Sequence, residues 1–479
     1  MPTERALCAV LCCAVLAGCV APLERTTPSA QPIAPETLDT SRALAGSPVG
    51  EWPGMRWWAE FGDPQLDALI DESLTGNPTL GSARARVAQA SALVDAAIAS
   101  STPGFTGGLD VTRQRFSVSG TVPPPVAGTV RTTSRLALDF AYELDYAGRN
   151  DVAIAAARAT ESAVAADAHA ARLTLASAVA RTYFQLQNLF ALKTIIGREL
   201  DQATHRIDLT RQRVGAGLET EAALSRVESV PPELRANRAQ LDAAIALARN
   251  QLAALAGQGP DRGLTLIAVV STGAAQGLPA VPASLPLDLL GRRPDLAAAR
   301  WRAESASRDI EVARLRFLPN VNLIAFAGVA ALGLDRLLAA GSAIAGVGPA
   351  IRLPLFSAGG LQAALRGRQA DYDLAVERYN ELVIDAVREV ADQVQARRAL
   401  EIERGERSMA FAAKDRTHRL TLERYRAGLA NYLDVLDAEA PLFGLQRAEA
   451  DLRARTLQAE VSLYRALGGG YEHGATHSR

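Results

Sequence analysis

The chain has 479 residues, 48% of them hydrophobic, which is enough apolar material for a large core in two or more domains and excludes a disordered protein. A formal net charge of −1 with no sustained Lys/Arg run leaves no electrostatic footprint for nucleic acid or for an anionic membrane surface. No Walker A string, HExxH, CxxC pair or nucleophile elbow is present, and the five histidines are scattered, so an enzyme finds no support.

The chain opens on Glu4 and Arg5, followed by an apolar run from Ala6 to Ala17 that is too short to span a bilayer and reads as a secretory signal. Leu16-Ala17-Gly18-Cys19 resembles the lipobox of bacterial lipoproteins, so residues 1–18 are expected to be removed and Cys19 to carry lipid. Cys8, Cys12, Cys13 and Cys19 are all the cysteines there are, which leaves the mature chain no disulfide and no thiol chemistry. Beyond that covalent lipid no cofactor and no metal are expected. Val20 follows the cysteine where inner-membrane lipoproteins carry Asp, and this implies the outer membrane. Several acyl chains make such an anchor stable, where one alone binds marginally.

Residues 19–50 are rich in Pro, Ser and Thr and read as an extended linker. Asp63-Pro64, an N-cap followed by Pro at the first helical position, predicts a helix running past Ala90 to about Ser100. Two strands follow. In the second, Leu136, Leu138, Phe140, Tyr142 and Leu144 alternate with Arg135, Ala137, Asp139, Ala141, Glu143 and Asp145, giving one apolar and one polar face. The first, around Leu109, Val111, Phe116 and Val118, joins it through a long loop containing Pro123, Pro124 and Pro125.

From Arg149 to Val214 no proline appears, and a helix of that length would be roughly 100 Å long. Gly215-Ala216-Gly217 marks the tip of a hairpin, whose return helix is expected from Glu219 to about Ala256. After a Pro/Gly-rich stretch, residues 257–293, the whole order recurs at an offset of about 211 residues, so the chain is an internal duplication. Pro294 to Arg316 repeats the first helix and Leu361 to Ala427 the long one, and Arg424 to Leu429 repeats the tip at Arg213 to Leu218. Repeats 51–256 and 294–468 are thus followed by a tail, 469–479, that holds His473 and His477. Val376, Asn380, Val383, Val387, Val390 and Val394 recur in steps of four and three, a coiled-coil seam in which Asn380 is either a register device or an exposed residue at a drifting edge.

Two strands per repeat make four per chain, too few to close a barrel, for which about eight is the lower limit. Open sheet edges do not occur in hydrocarbon, so the chain must oligomerise. Two copies give eight strands and a filled interior, three give twelve and room for a lumen; sequence physics alone does not choose.

The order of segments and the strings Trp57 to Leu66, Tyr142-Glu143-Leu144-Asp145, Arg292-Arg293-Pro294-Asp295 and Arg424 to Asp437 resemble the TolC-like outer membrane efflux family, lipoprotein (NodT-type) branch, over essentially the whole mature chain. The resemblance implies an α+β membrane protein: a homotrimer with a twelve-stranded β-barrel in the outer membrane and a twelve-helix periplasmic tunnel. Its implied partners are a periplasmic adaptor and an inner-membrane transporter, commonly of the resistance-nodulation-division class. It also implies a closed periplasmic end, with Leu433 as apolar constriction, Asp437 as acidic ring, and Tyr425 and Arg426 tying neighbouring helices. Read without the family, Leu433 and Asp437 are an ordinary core residue and a solvated charge one helical turn apart. The tips Gly215, Gly217, Leu218, Gly428 and Leu429 are the implied adaptor contacts. Pro231-Pro232 and Pro441, about fourteen residues beyond each tip, depart from the family pattern. A kink at Pro441 would free the carbonyl of Asp437 and ease opening. Two other functions fit the sequence less well: a channel secreting proteins, and a periplasmic coiled-coil scaffold without a pore, against which the apolar strand face argues.

Overall fold

A computed structural model describes residues 29–34, 37–40, 42–45, 48, 50–269, 289–354 and 358–472. The expected signal peptide, Cys19, most of the inter-repeat Pro/Gly stretch and the two tail histidines lie outside these residues. Two compact units emerge, one built from Ala88–Val164 and Ala299–Tyr379 with the first described residues, the other from Ile33–Val87, Ala165–Ala298 and the chain from Asn380 on. Each unit draws on both sequence repeats.

The first unit carries an antiparallel sheet of four strands, β1 (Gly104–Arg115), β2 (Val130–Glu143), β3 (Asn320–Leu332) and β4 (Ala343–Arg352), in the order β1-β2-β3-β4. Each repeat contributes one hairpin, and β2 pairs with β3 to join them, Leu136 facing Val329 and Phe140 facing Ala325. The alternation expected for β2 is present: Leu136 and Leu138 stand exposed, as do Phe105 and Leu109 of β1 and Val347 and Ile351 of β4 on the same face. β1 differs from expectation, because it begins at Gly104 and ends at Arg115. Phe116 adds two more backbone bonds, to Thr129 and Gly128, while Val118 falls in the loop. Strands of 12, 14, 13 and 10 residues are long enough for the roughly ten that cross an outer membrane. Among the described residues no helix is long and apolar enough to cross one.

The Tyr142-to-Asp145 string closes the sheet onto the next helix, α3 (Arg149–Gly215): Glu143 pairs with Arg149 at 2.5 Å, and an Asp145 carboxylate oxygen accepts from the amides of Asn150 and Asp151. These are unsatisfied donors of a helix start, which a carboxylate fits by hydrogen bonding and by the dipole.

The preceding helix is two. Between α1 (Pro64–Gly76) and α2 (Pro78–Ser100), Asn77 adopts φ −73°, ψ 125°, the extended conformation that a following proline enforces. Asn77 holds the break by donating to Leu255 O at 2.8 Å, and Gly257 (φ +73°) packs so close that a Cβ there would sit 2.5 Å from Gly76 O. The return helix of the first hairpin is likewise interrupted, as α4 (Glu221–Glu228) and α5 (Val230–Leu255), ahead of Pro231-Pro232. In the second repeat, α6 (Pro294–Leu315) and α7 (Ala358–Arg426) match expectation, and α8 (Tyr432–Ala466) runs through Pro441 without interruption.

The core of the second unit gathers Trp57, Trp58, Phe61, Leu66, Leu69, Ile70, Val179, Tyr183, Leu252 and Val461. It explains the Trp57-to-Leu66 string. A 3-10 turn ends at Gly62 in the left-handed region, Asp63 caps α1 by accepting from the amides of Gln65 and Leu66, and its second oxygen accepts from the Tyr183 hydroxyl at 2.7 Å. Burial, with that carboxylate as acceptor, pushes the Tyr183 hydroxyl pKa up. Arg293 sits with its side chain only 9% exposed, bidentate to Asp295 and bonded to Glu389 at 2.9 Å and to Ala466 O at 3.1 Å.

In the valine seam of α7 Val376, Val383, Val390 and Val394 are buried and Val387 partly so, and Val390 and Val394 pack on Leu463 and Ala466 of α8 and on Leu467 after it. Asn380 is not an exposed edge residue: it is 7% exposed and its side-chain oxygen accepts from the amide of Ile33 at 2.8 Å. Described parts of the expected extended linker are thus held to α7. Within the second unit Gln395 and Arg398 donate to the carbonyls of Ala43 and Ala45; within the first, Asp373 accepts from the amides of Ser29 and Ala30 and from the Ser29 hydroxyl. Those donors hold the Asp373 carboxyl below its ordinary pKa, the Ala30 amide contributing most. Asp373→Ala is therefore expected to speed deuterium exchange at Ser29 and Ala30 while leaving Ile33, bonded to Asn380, protected; equal exchange in both proteins would contradict the clamp.

Candidate functional site

Both hairpin tips are built alike. At the first, Gly217 takes φ +73°, its amide donates to Val214 O at 2.9 Å and the amide of Leu218 to Arg213 O at 2.8 Å; at the second, Gly428 takes φ +75° and the same two bonds run to Tyr425 O and Arg424 O. This is the Schellman closure, which requires a left-handed residue that glycine supplies without strain. Gly215 is the last helical residue of α3, with open space where a Cβ would be. Thr220 caps α4 and Asn431 caps α8, the latter in a reciprocal box with Asp434. Leu218 and Leu429 remain 66% and 70% exposed. The apolar contact that often accompanies this closure does not take them up.

Beyond the second tip, Tyr425 and Tyr432 pack with ring centroids 5.2 Å apart, and Arg426, exposed, ends α7. On the first turns of α8, Leu433 is half-buried, next to the buried Val435 and Leu436. Asp437 is exposed on α8 and pairs with Arg206 of α3 at 2.5 Å. One turn nearer the start of α3, Gln202 donates to Leu436 O at 2.8 Å. Further along the two antiparallel helices Arg447 meets Glu199, Arg198 donates to Gln446 at 3.0 Å, and Asn188 to Asp451 at 2.7 Å.

The candidate gate residues therefore lie at the tip end of a polar ladder that zips α3 to α8. Arg206 and Gln202 were missed in the sequence, since no local period connects them to residues more than two hundred positions later. Pro441 stands inside α8 within the span of this ladder. Its ring excludes the amide that would bond Asp437 O, and the neighbouring Leu436 O is already engaged by Gln202.

A family profile described as "Outer membrane efflux protein" matches residues 69–258 and 285–469. The chain is similar to "Multidrug resistance outer membrane protein MdtP" of Shigella flexneri, with 30% identity covering 98% of each chain. It is similar also to "Fusaric acid resistance protein FusA" of Burkholderia cepacia, with 33% identity over 96% of this chain and 87% of that one. Among solved structures it resembles the outer membrane protein VceC of Vibrio cholerae, with TM-score 0.77 and 34% identity over 88% of this chain and 100% of VceC.

Proposed function

The chain belongs to the outer membrane efflux protein family, and on that premise we propose that it is the outer-membrane channel of a tripartite pump, exporting small toxic compounds of the kind named in its relatives. The observation that carries this reading is the sheet: four strands with Phe105, Leu109, Leu136, Leu138, Val347 and Ile351 exposed on one face and Asp110, Arg135, Asp139 and Glu143 on the other. An apolar face of that extent needs lipid, and a polar inner face suits a water-filled lumen. The same apolar face disfavours a scaffold without a pore.

Three copies supply twelve strands, and closing them removes the free edges of β1 and β4. Lipid on Cys19 adds a second hold on the outer membrane. The exposed leucines at the two similarly closed tips, Leu218 and Leu429, meet a periplasmic adaptor, which links the channel to an inner-membrane transporter of the resistance-nodulation-division class. Leu433 narrows the periplasmic end and Asp437 supplies its acidic ring, three carboxylates around one axis attracting cations while apolar side chains resist wetting. Tyr425 and Arg426 hold the turn from which that end must open.

The experiment is to purify the protein from detergent-solubilised outer membranes, weigh it by native mass spectrometry and record single channels in planar bilayers. A lipidated trimer with low, occasionally opening conductance supports the reading; a monomeric species without conductance removes the barrel. Pro441→Ala restores the amide missing opposite Asp437 O and is expected to lengthen closed dwell times and lower resistance in cells. Unchanged dwell times and unchanged resistance would exclude a hinge at Pro441.

A further inference from the structure

On the inner face of the sheet Ile324, Phe326, Leu332 and Ile344 interrupt the polar wall, and Phe326 is the aromatic one among them. Phe326 of β3 shares that face with Asp110, Arg135 and Asp139, since Asp110 pairs with Arg135, Asp139 with Phe326, and Phe326 with Gly346. An aromatic ring projecting straight from this face would enter the lumen; this one, 38% exposed, does not stand free. It lies down on β4: a Cβ built on Gly346 would come within 2.7 Å of its Cε1 and 2.8 Å of its Cζ. Such distances are below van der Waals contact, so no side chain fits beneath the ring.

The other side of the ring is fenced by Arg135. That side chain ends in a bidentate pair with Asp139 at 2.5 and 3.0 Å, and the buried Ala137 lies between the two on the same face. Its guanidinium carbon stands 5.7 Å from the centroid of the Phe326 ring, within cation–π range. The floor continues through Gly328, where a Cβ would meet Leu136 O at 2.2 Å. The Phe326 ring is thus laid over Gly346 with Arg135 beside it, next to the tight β2–β3 approach at Gly328.

We propose that Phe326, seated over Gly346 and fenced by the Arg135–Asp139 pair, sets the bore of the barrel at this level and so limits the width of the cargo that passes. With the ring on the wall the lumen keeps its full width. Displaced from its seat, the ring has only the lumen to move into, and in a closed barrel every copy narrows the same level. The charge pair beside it serves position rather than attraction, because Arg135 is already neutralised by Asp139.

This inference rests on the barrel reading above, and its test separates the two. A cysteine is placed at Asn322, on the same inner face but nearer the end of the sheet where β1 and β2 join the helices, and whole cells are treated with a small and a bulky polymer-linked methanethiosulfonate reagent. Labelling of the parent protein without Asn322→Cys is subtracted. In Gly346→Val the bulky reagent is expected to react roughly fivefold more slowly while the small one is unaffected. Adding Phe326→Ala to Gly346→Val is expected to restore the rate, because no ring is left to displace. Equal rates for the bulky reagent with and without Gly346→Val overturn the inference, and so does a slowing that Phe326→Ala fails to relieve, which would place the obstruction in the backbone. A cysteine that even the small reagent never reaches from outside, in the otherwise unaltered protein, overturns the barrel reading and this inference together.

Discussion

Leu433→Ala is expected to turn a channel that is mostly closed into one that is mostly open. A half-buried leucine cut back to alanine forfeits on the order of 1 kcal/mol of closed-state burial. Three copies acting on one constriction shift the closed-to-open ratio by roughly a hundredfold. Asp437→Ala acts differently: it removes an exposed carboxylate, so cation preference should fall along with the closed fraction. Arg206→Ala completes the set. In the Arg206–Asp437 pair Arg206 is half-buried and Asp437 exposed, so breaking it costs little stability, but it leaves Asp437 without its cationic partner. Block by divalent cations added on the periplasmic side should then appear at lower concentration than in the unaltered protein. All three are read in planar bilayers from open probability and reversal potential. If Leu433→Ala kept the closed dwell times of the parent, Leu433 would be an ordinary packing residue and the constriction would have to be sought elsewhere.

Arg293→Ala should be the most damaging substitution away from the gate. It removes the shared partner of Asp295 and Glu389 and leaves both carboxylates beside a buried site, a change that costs about 3–5 kcal/mol in comparable buried pairs. Thermal unfolding in detergent, followed by circular dichroism, would show the loss; a melting curve unchanged from the parent would mean that water replaces the guanidinium. The same site gives a pH dependence of known sign. Burial alone would raise the Asp295 pKa, but the hydrogen bonds and charge of Arg293, with the Leu296 amide, outweigh it and hold the carboxyl below its ordinary value. A depressed folded-state pKa contributes stability that is complete above about pH 4, the unfolded value, and is lost as pH falls through the depressed one. Asp295→Asn should flatten that acid limb.

Much of this fold is written in local periods. The alternation from Arg135 to Asp145 specifies a strand with one lipid-compatible face, the proline-free runs specify α3 and α7, and the duplicated Arg213-to-Leu218 and Arg424-to-Leu429 strings specify two tips that close by the same two hydrogen bonds. Two breaks had readable signals that the helical pattern outweighed: Asn77 precedes a proline, and Ser229 stands two residues before Pro231-Pro232. The attachment of residues 29–45 to α7 had no such signal. Most of the bonds are made by backbone groups of the attached segment to Asp373, Asn380, Gln395 and Arg398, which leave little pattern in its own side chains beyond Ser29 and Leu44. The candidate gate was legible only through family strings. Its tie to Arg206 depends on how α3 and α8 lie together, which no window of sequence contains.

The pairing of β2 with β3 has a consequence in time. Leu136 and Val329 meet in the finished sheet but are roughly two hundred residues apart along the chain, so the first hairpin must wait for the rest of its own repeat and the start of the second to arrive. During that wait β2 is an open edge beside Leu136, Leu138 and Phe140, in a compartment where other chains offer strands of their own. Delivery of the chain therefore sets a clock: an export stall between the repeats leaves the most adhesive part of the molecule exposed and half-built, and holding that hairpin apart from its neighbours is a task the sequence passes to the cell.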